Sequence, residues 1–153
     1  MIVYFFSTPI FKWYLLFNSW HISEKTYSFK AKWGIETTTD DIEGDAVKTT
    51  DKRPTKQSIL ETLATFRGEI IQKPPNFSAI KINGKKAYQL LRANKNFEIK
   101  ERLVFLDEVT LINSQKQTSK FFIRCGKGFY IRSFARDLGE KLETKAHISS
   151  LKR

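Results

Sequence analysis

The stretch Gly126-Lys127-Gly128-Phe129-Tyr130-Ile131-Arg132-Ser133 has the densest chemistry in this 153-residue chain. Its two glycines let backbone approach a ligand closely. Tyr130 and Arg132 stand two apart, so in an extended segment they share a face while Ile131 turns inward. A phenol ring beside a guanidinium can stack on a base and pair with an anion. Spacing alone leaves the plainer alternative open, a Tyr/Arg pair on a solvated strand. A second cluster, Lys81, Lys85 and Lys86, surrounds an Asn83-Gly84 turn that follows Pro74-Pro75. Such lysines either grip phosphates or solvate an ordinary hairpin. Lys145, His147, Lys152 and Arg153 make a basic end. His147 by itself reads as a structural histidine.

The elements that must position these residues follow from pattern. Thr26–Gly34 alternates, with Tyr27, Phe29 and Ala31 on one face and Ser28, Lys30 and Lys32 on the other, as a half-buried strand does. Thr37–Thr50 reads as an acidic loop feeding a short strand at Ala46–Thr49. Thr55 is placed to cap a helix whose stripe is Ile59, Leu60, Leu63, Ala64 and Phe66, with Gly68 ending it. Pro74-Pro75 forces extension. A short helix is expected over Lys86–Ala93, then a strand over Arg102–Ile112 and an antiparallel partner over Thr118–Cys125. A last helix is expected over Ser133–Leu142. Antiparallel strands with separate helices read as α+β, a mixed, largely antiparallel sheet with flanking helices.

Charge is distributed unevenly. Met1–Gln72 holds nine basic and nine acidic residues, whereas Lys73–Arg153 holds 18 basic and seven acidic, so the whole net charge of +11 sits in the second half. That asymmetry points to a polyanion partner. A hydrophobic fraction of 41% supports a packed core and excludes a disordered basic tail. The single cysteine, Cys125, excludes an intramolecular disulfide and suggests a reducing compartment such as the cytoplasm. Cys125 and the distant His21 and His147 also exclude a Cys/His zinc cluster. Residues 1–20 contain fourteen apolar or aromatic residues, but Ser7, Thr8, Pro9, Lys12 and Asn18 interrupt the run. Neither a secretory signal nor a membrane span is expected there.

Two longer stretches, FRGEIIQKPPNFSAIKINGKKAYQLLR and RCGKGFYIRSFARDLGEKLETKAHISSLKR, resemble the bacterial tRNA pseudouridine synthase B (TruB) family. KTYSFKAKWGIETTTDDIEGD resembles the same family's K-x-Y segment and T-D-T-x-D-x-x-G loop. The resemblance covers about Glu24 to Arg153. It implies a pseudouridine synthase-like fold and isomerisation of uridine-55 in the tRNA T-loop, with the target nucleotide flipped into a pocket. It implies tRNA as partner and neither metal nor organic cofactor. It implies that Tyr27 stacks on the target base and that Tyr130 and Arg132 stand beside the nucleophile. It also implies that Lys127 belongs to the pocket wall and that Leu151 lines the pocket. Lys81, Lys85, Lys86 and Arg153 are the expected RNA contacts.

The likeness departs where it matters most. The family's nucleophilic Asp, in a G-x-L-D segment well upstream of the K-x-Y tyrosine, has no counterpart here. The first Asp is Asp40, in the acidic loop, and neither Asp40, Asp41 nor Asp45 is a nucleophile candidate. Residues 1–23 are expected to be an apolar segment unrelated to the family, produced by a frameshift, a misassigned start or a truncated gene. Residues 24–153 are expected to be a partial catalytic domain without the family's C-terminal RNA-binding extension. Such a chain is expected to be inactive alone. A separate fragment could supply the Asp in trans. The alternatives are a non-catalytic RNA-binding remnant and a pseudogene product. The resemblance implies that Arg132 pairs with that Asp, so without it Arg132 is expected to find solvent, a phosphate or an acid elsewhere.

Overall fold

The structure is a computed structural model and describes residues 24–153. The apolar segment 1–23 lies outside the described residues. Strand β1, Lys25–Trp33, follows the alternation of its sequence: Phe29, Ala31 and Trp33 are buried and Lys30 is exposed. The polar stretch after it is more ordered than a loop. Ile35–Thr37 (β2) pairs with Ala46–Thr49 (β3) in a small two-stranded ribbon.

Helix α1, Lys56–Leu63, begins where Thr55 was expected to cap it, and the Thr55 hydroxyl accepts a hydrogen bond from the Ser58 N–H at 3.1 Å. Replacing Thr55 with Ala is expected to cost about 1 kcal/mol of stability. Urea denaturation checks this, and an unshifted midpoint would show that the cap carries no weight. Ile59, Leu63 and Phe66 face the core, but Leu60 and Ala64 are exposed, so the buried stripe is narrower than the sequence suggests.

Gly68 does not end this helix. Ala64 is its C-cap, and Gly68, at φ +72°, opens strand β4, Gly68–Gln72. Five residues of β4 pair with β7, Arg102–Ser114, and this distant pairing outweighs the local signal. Beyond the prolines, β5 (Lys81–Ile82) and β6 (Lys85–Lys86) form a hairpin around Asn83 and Gly84, both with positive φ, as a mirror-image two-residue turn requires. Helix α2, Ala87–Arg92, follows directly. β8 is Thr118–Cys125, as expected.

One correction falls at the C-terminal end. Helix α3 spans Ile131–Lys141, so Arg132 lies in its first turn and not in an extended segment; only Tyr130, at φ −107° and ψ 111°, is extended. The basic end is a strand, β9, Ala146–Lys152. Ala146, His147 and Ile148 are all buried, so no alternation marks this strand in the sequence. Lys145 is also not a free cation, because its ammonium stands 3.2 Å from Glu36.

The main sheet has five strands in the order β4-β7-β8-β1-β9, each antiparallel to its neighbours. The fold is therefore α+β with a largely antiparallel sheet. Helices α1 and α3 cover one face. Between them and the sheet, Phe134 stands 6.1 Å from Phe29, 5.0 Å from Phe66 and 5.9 Å from Phe129, ring centre to ring centre. Phe29 in turn stacks on Phe121 at 5.1 Å. Trp33 is fully buried and satisfies its indole N–H on Ser119 Oγ at 3.0 Å. Gly139 is required by close approach: a methyl there would meet the Ala146 side chain at 2.9 Å and its nitrogen at 3.0 Å. That contact holds α3 tightly on β9. No helix among the described residues is long and apolar enough to cross a membrane.

Candidate functional site

Two arginines one turn apart on α3 organise the region around Tyr130. Arg132 Nη1 donates to the Thr39 carbonyl at 3.1 Å, and Nη2 donates to the Phe77 carbonyl at 3.0 Å. The same Nη1 lies 3.5 Å from Asp41 Oδ2. Arg136 Nη1 donates to Asp40 Oδ2 at 2.8 Å, and Nη2 donates to the Lys73 carbonyl at 2.7 Å. Ser133 Oγ donates to that carbonyl as well, at 2.8 Å. One helical turn thus clamps the acidic loop 37–45 on one side and the proline segment 73–78 on the other. The spacing of four is what puts both guanidiniums on one face.

Arg132 therefore has the anion it was expected to need, and that anion is Asp41. The Asp41 carboxylate is itself held: Oδ1 accepts from Thr39 Oγ1 at 2.5 Å and from the Glu43 N–H at 3.0 Å. Backbone fixes the loop too, since the Ile148 N–H donates to the Asp40 carbonyl at 3.0 Å. Both aspartates are thus held, Asp40 by Arg136 and Asp41 by Arg132 and the donors of its own loop.

Tyr130 is positioned by a residue that sequence reading passed over. Gln72, at the end of β4, is buried, and its side-chain amide copies a backbone rung. Its Nε2 donates to the Tyr130 carbonyl at 3.0 Å, and its Oε1 accepts from the Tyr130 N–H at 2.8 Å. A glutamine among the apolar residues of a strand was the available signal. Tyr130 and Arg132 then line one cleft of about 450 Å³ with Thr39, Asp41, Ser78, Tyr88 and Arg92. The shared face is as expected, although it arises from the strand-to-helix junction.

The other expected residues are spread around this cleft. Tyr27 is half-buried on the inner face of β1 against the core. Leu151, 46% exposed, pairs with Phe29 on the neighbouring strand, which puts it diagonal to Tyr27. Neither lines the cleft of Tyr130 and Arg132. Lys127 is exposed in the turn before Tyr130. Lys81 and Lys85 are exposed on the small hairpin, while Lys86 is partly buried and lies over the Tyr88 ring at 5.7 Å. Arg92 flanks the same ring at 5.6 Å. Arg153 is exposed beyond β9. His147 is buried, with Nδ1 2.8 Å from the Ile35 carbonyl, a structural role. Burial pushes the Cys125 thiol up to about 12, so it is an inert core residue. Among the described residues no cluster of His, Cys, Asp or Glu could hold a metal ion.

Burial also raises the Asp40 carboxyl from 3.8 to about 6, against the opposing pull of Arg136. Asp137, beside the same arginine, is raised to about 6 for the same first reason. A folded-state value above the unfolded one means the folded chain holds more protons between about pH 4 and 6. The contribution to stability is complete below about pH 4 and is lost as pH rises through about 6. Asp40→Asn is thus expected to flatten the stability profile between pH 4 and 6. Urea melts at four pH values check this, and a variant profile parallel to the wild type would contradict it.

Comparison with known proteins fits this geometry. The fold resembles a chain in the crystal structure of a Cbf5-Nop10-Gar1 complex, with a TM-score of 0.56 and 23% identity, over 84% of this chain and 29% of that one. That likeness is one of fold, the antiparallel sheet with its flanking helices. A family described as TruB family pseudouridylate synthase (N terminal domain) matches residues 15–131. The chain belongs to the TruB family. Its relatives include the tRNA pseudouridine synthase B of Bartonella quintana, 47% identical over 130 residues, covering 84% of this chain and 48% of that protein. The Bartonella henselae protein of the same name is 48% identical over 130 residues, 84% of this chain and 41% of that one. The chain spans less than half the length of these relatives.

Proposed function

We propose that residues 24–153 form the RNA-gripping, base-orienting part of a tRNA pseudouridine synthase acting on the uridine of the T-loop. The observation that carries this reading is the Arg132 clamp, which sets a guanidinium in one cleft with the Tyr130 side chain, lined also by Ala79 and Tyr88 on either side of the lysine-bearing hairpin. A flipped uridine needs a stacking surface, an anion partner for the sugar-phosphate chain, and wall residues that exclude water. In this cleft Tyr130 serves as the stacking surface, Arg132 as the pocket cation, and Lys127 as wall in the turn beside them; Tyr27 and Leu151 stand outside the cleft, on β1 and β9, and take no part in it. Lys81, Lys85, Lys86 and Arg153 meet phosphates. The nucleophilic carboxylate comes from outside residues 24–153, because no aspartate among them stands in the G-x-L-D pattern of the family. Covalent catalysis by the described residues alone therefore lacks its first group.

The test uses the purified chain with two readouts. Binding to a T-arm hairpin is expected to weaken steeply with salt and to exceed binding to a hairpin with a scrambled loop. Tritium release from tRNA labelled at uridine C5 is expected to be absent without an added fragment carrying the Asp. Release by the chain alone would overturn the assignment of Asp40 and Asp41, and equal affinity for both hairpins would overturn the T-loop reading.

A further inference from the structure

The sheet face away from α1 and α3 carries a charge arrangement that the cleft does not use. On β1, Lys30 stands directly opposite Lys120 of β8, and both are exposed. Asn113 of β7 continues that row beyond Lys120, and Ser150 of β9 continues it beyond Lys30. In the next row Phe122, Ser28 and Lys152 lie side by side. One row the other way, Lys32 faces Thr118. Four lysines thus occupy three adjacent rows of three neighbouring strands. Among the described residues none of the four is in an ion pair. Acids do reach this face, but Asp107 and Glu108 gather on Arg124, two rows from Lys120.

Like charges directly opposite across a strand pair destabilise a sheet. An acid placed among them would relieve the repulsion, and among the described residues none is there. Backbone phosphates would relieve it equally, with the amide and hydroxyl of the same row as neutral donors. We propose that this face, centred on Lys30 and Lys120, is a second RNA-backbone contact surface, separate from the cleft and blind to sequence. The proposal rests on the RNA reading above but not on the T-loop being the target. It assigns the partner as the phosphates of an RNA large enough to reach both faces of the sheet.

The test titrates the wild-type chain and the double variant K30Q/K120Q with full-length tRNA and with an isolated T-arm hairpin across a salt series. With tRNA, the slope of log affinity against log salt is expected to fall by about 2 in the variant, close to one for each phosphate that a lysine no longer neutralises. Affinity at low salt is expected to fall at least tenfold. With the hairpin, both quantities are expected to stay as in the wild type. Without RNA, the variant is expected to melt no lower than the wild type, because an opposed like-charge pair has gone. An unchanged tRNA slope in the variant would overturn the proposal, including the case in which an acidic protein occupies this face. A lower melting temperature would overturn the repulsion on which it is built. K32Q/K152Q, on the same face and not opposed to each other, is expected to lower the slope in the same way, and an unchanged slope there also counts against it. If the wild type fails to prefer the T-arm hairpin while the tRNA slope still responds to K30Q/K120Q, the T-loop reading falls and this surface stands.

Discussion

Phe134→Ala is expected to lower the unfolding free energy by about 3–5 kcal/mol, enough to leave a domain of this size barely folded. Phe134 is fully buried on α3 and meets three other phenyl rings, one from β1, one just past α1, and one from the turn before α3. Truncation leaves a void that no single neighbour can fill, because Phe29 is already stacked on Phe121 and Phe66 already lies against Lys141 at 4.2 Å. The loss combines transfer free energy with the unfilled cavity. Phe134→Leu keeps most of the volume and is expected to cost less than half as much. Chemical denaturation of both variants decides the matter through the shift in midpoint at constant slope. A cost below about 1 kcal/mol for the alanine would mean that the core collapses around the gap and that α3 is not anchored as described.

Arg132→Ala has the second largest expected effect, and it falls on RNA docking. The substitution removes the donors to the Thr39 and Phe77 carbonyls together with the Asp41 partner. The loops on either side of the cleft lose their shared tie, and a carboxylate that faced a guanidinium now faces incoming phosphates. Loss of charge-assisted hydrogen bonds of this kind is worth about 1.5–3 kcal/mol, or roughly ten- to a hundredfold in affinity for a T-arm hairpin. Arg132→Lys keeps the charge but cannot span both carbonyls, so it is expected to recover only part of the loss. Asp41→Asn on the Arg132→Ala background is expected to recover some affinity by removing the stranded charge. If the double variant is no better than the single, Asp41 has no electrostatic bearing on the docked RNA. Unchanged affinity in Arg132→Ala would remove this residue from the binding surface altogether.

What could be read from the sequence was local. Alternation in residues 27–33 marked β1 and its inner face, Asn83-Gly84 marked a hairpin, and Thr55 marked a helix start, because each signal lies within a few residues of its consequence. Strand β4 hid behind a glycine that looked like a helix terminator, and β9 hid because three successive buried residues show no alternation. The site was legible as a pair, Tyr130 and Arg132, but not as a clamp. The partners that make it one come from afar: Thr39 lies 93 positions from Arg132, and Gln72 lies 58 from Tyr130. Local pattern carries no record of such distant choices. The family resemblance assigned Arg132 to the pocket, and only the folded chain shows Asp41 in front of it.

The strand order has a consequence in time as well as in space. β1 is the first described strand to be made, yet its two neighbours, β8 and β9, are the last two. At ribosomal rates of about 5–20 residues per second, β1 waits roughly 5–20 seconds for its first partner. Throughout that wait Phe29 lacks the Phe121 and Phe134 rings, and Trp33 lacks Phe121. Nascent chains stopped before β8 are therefore substrates for chaperones and proteases, and closure of this sheet is a late event that follows from pairings so distant along the chain.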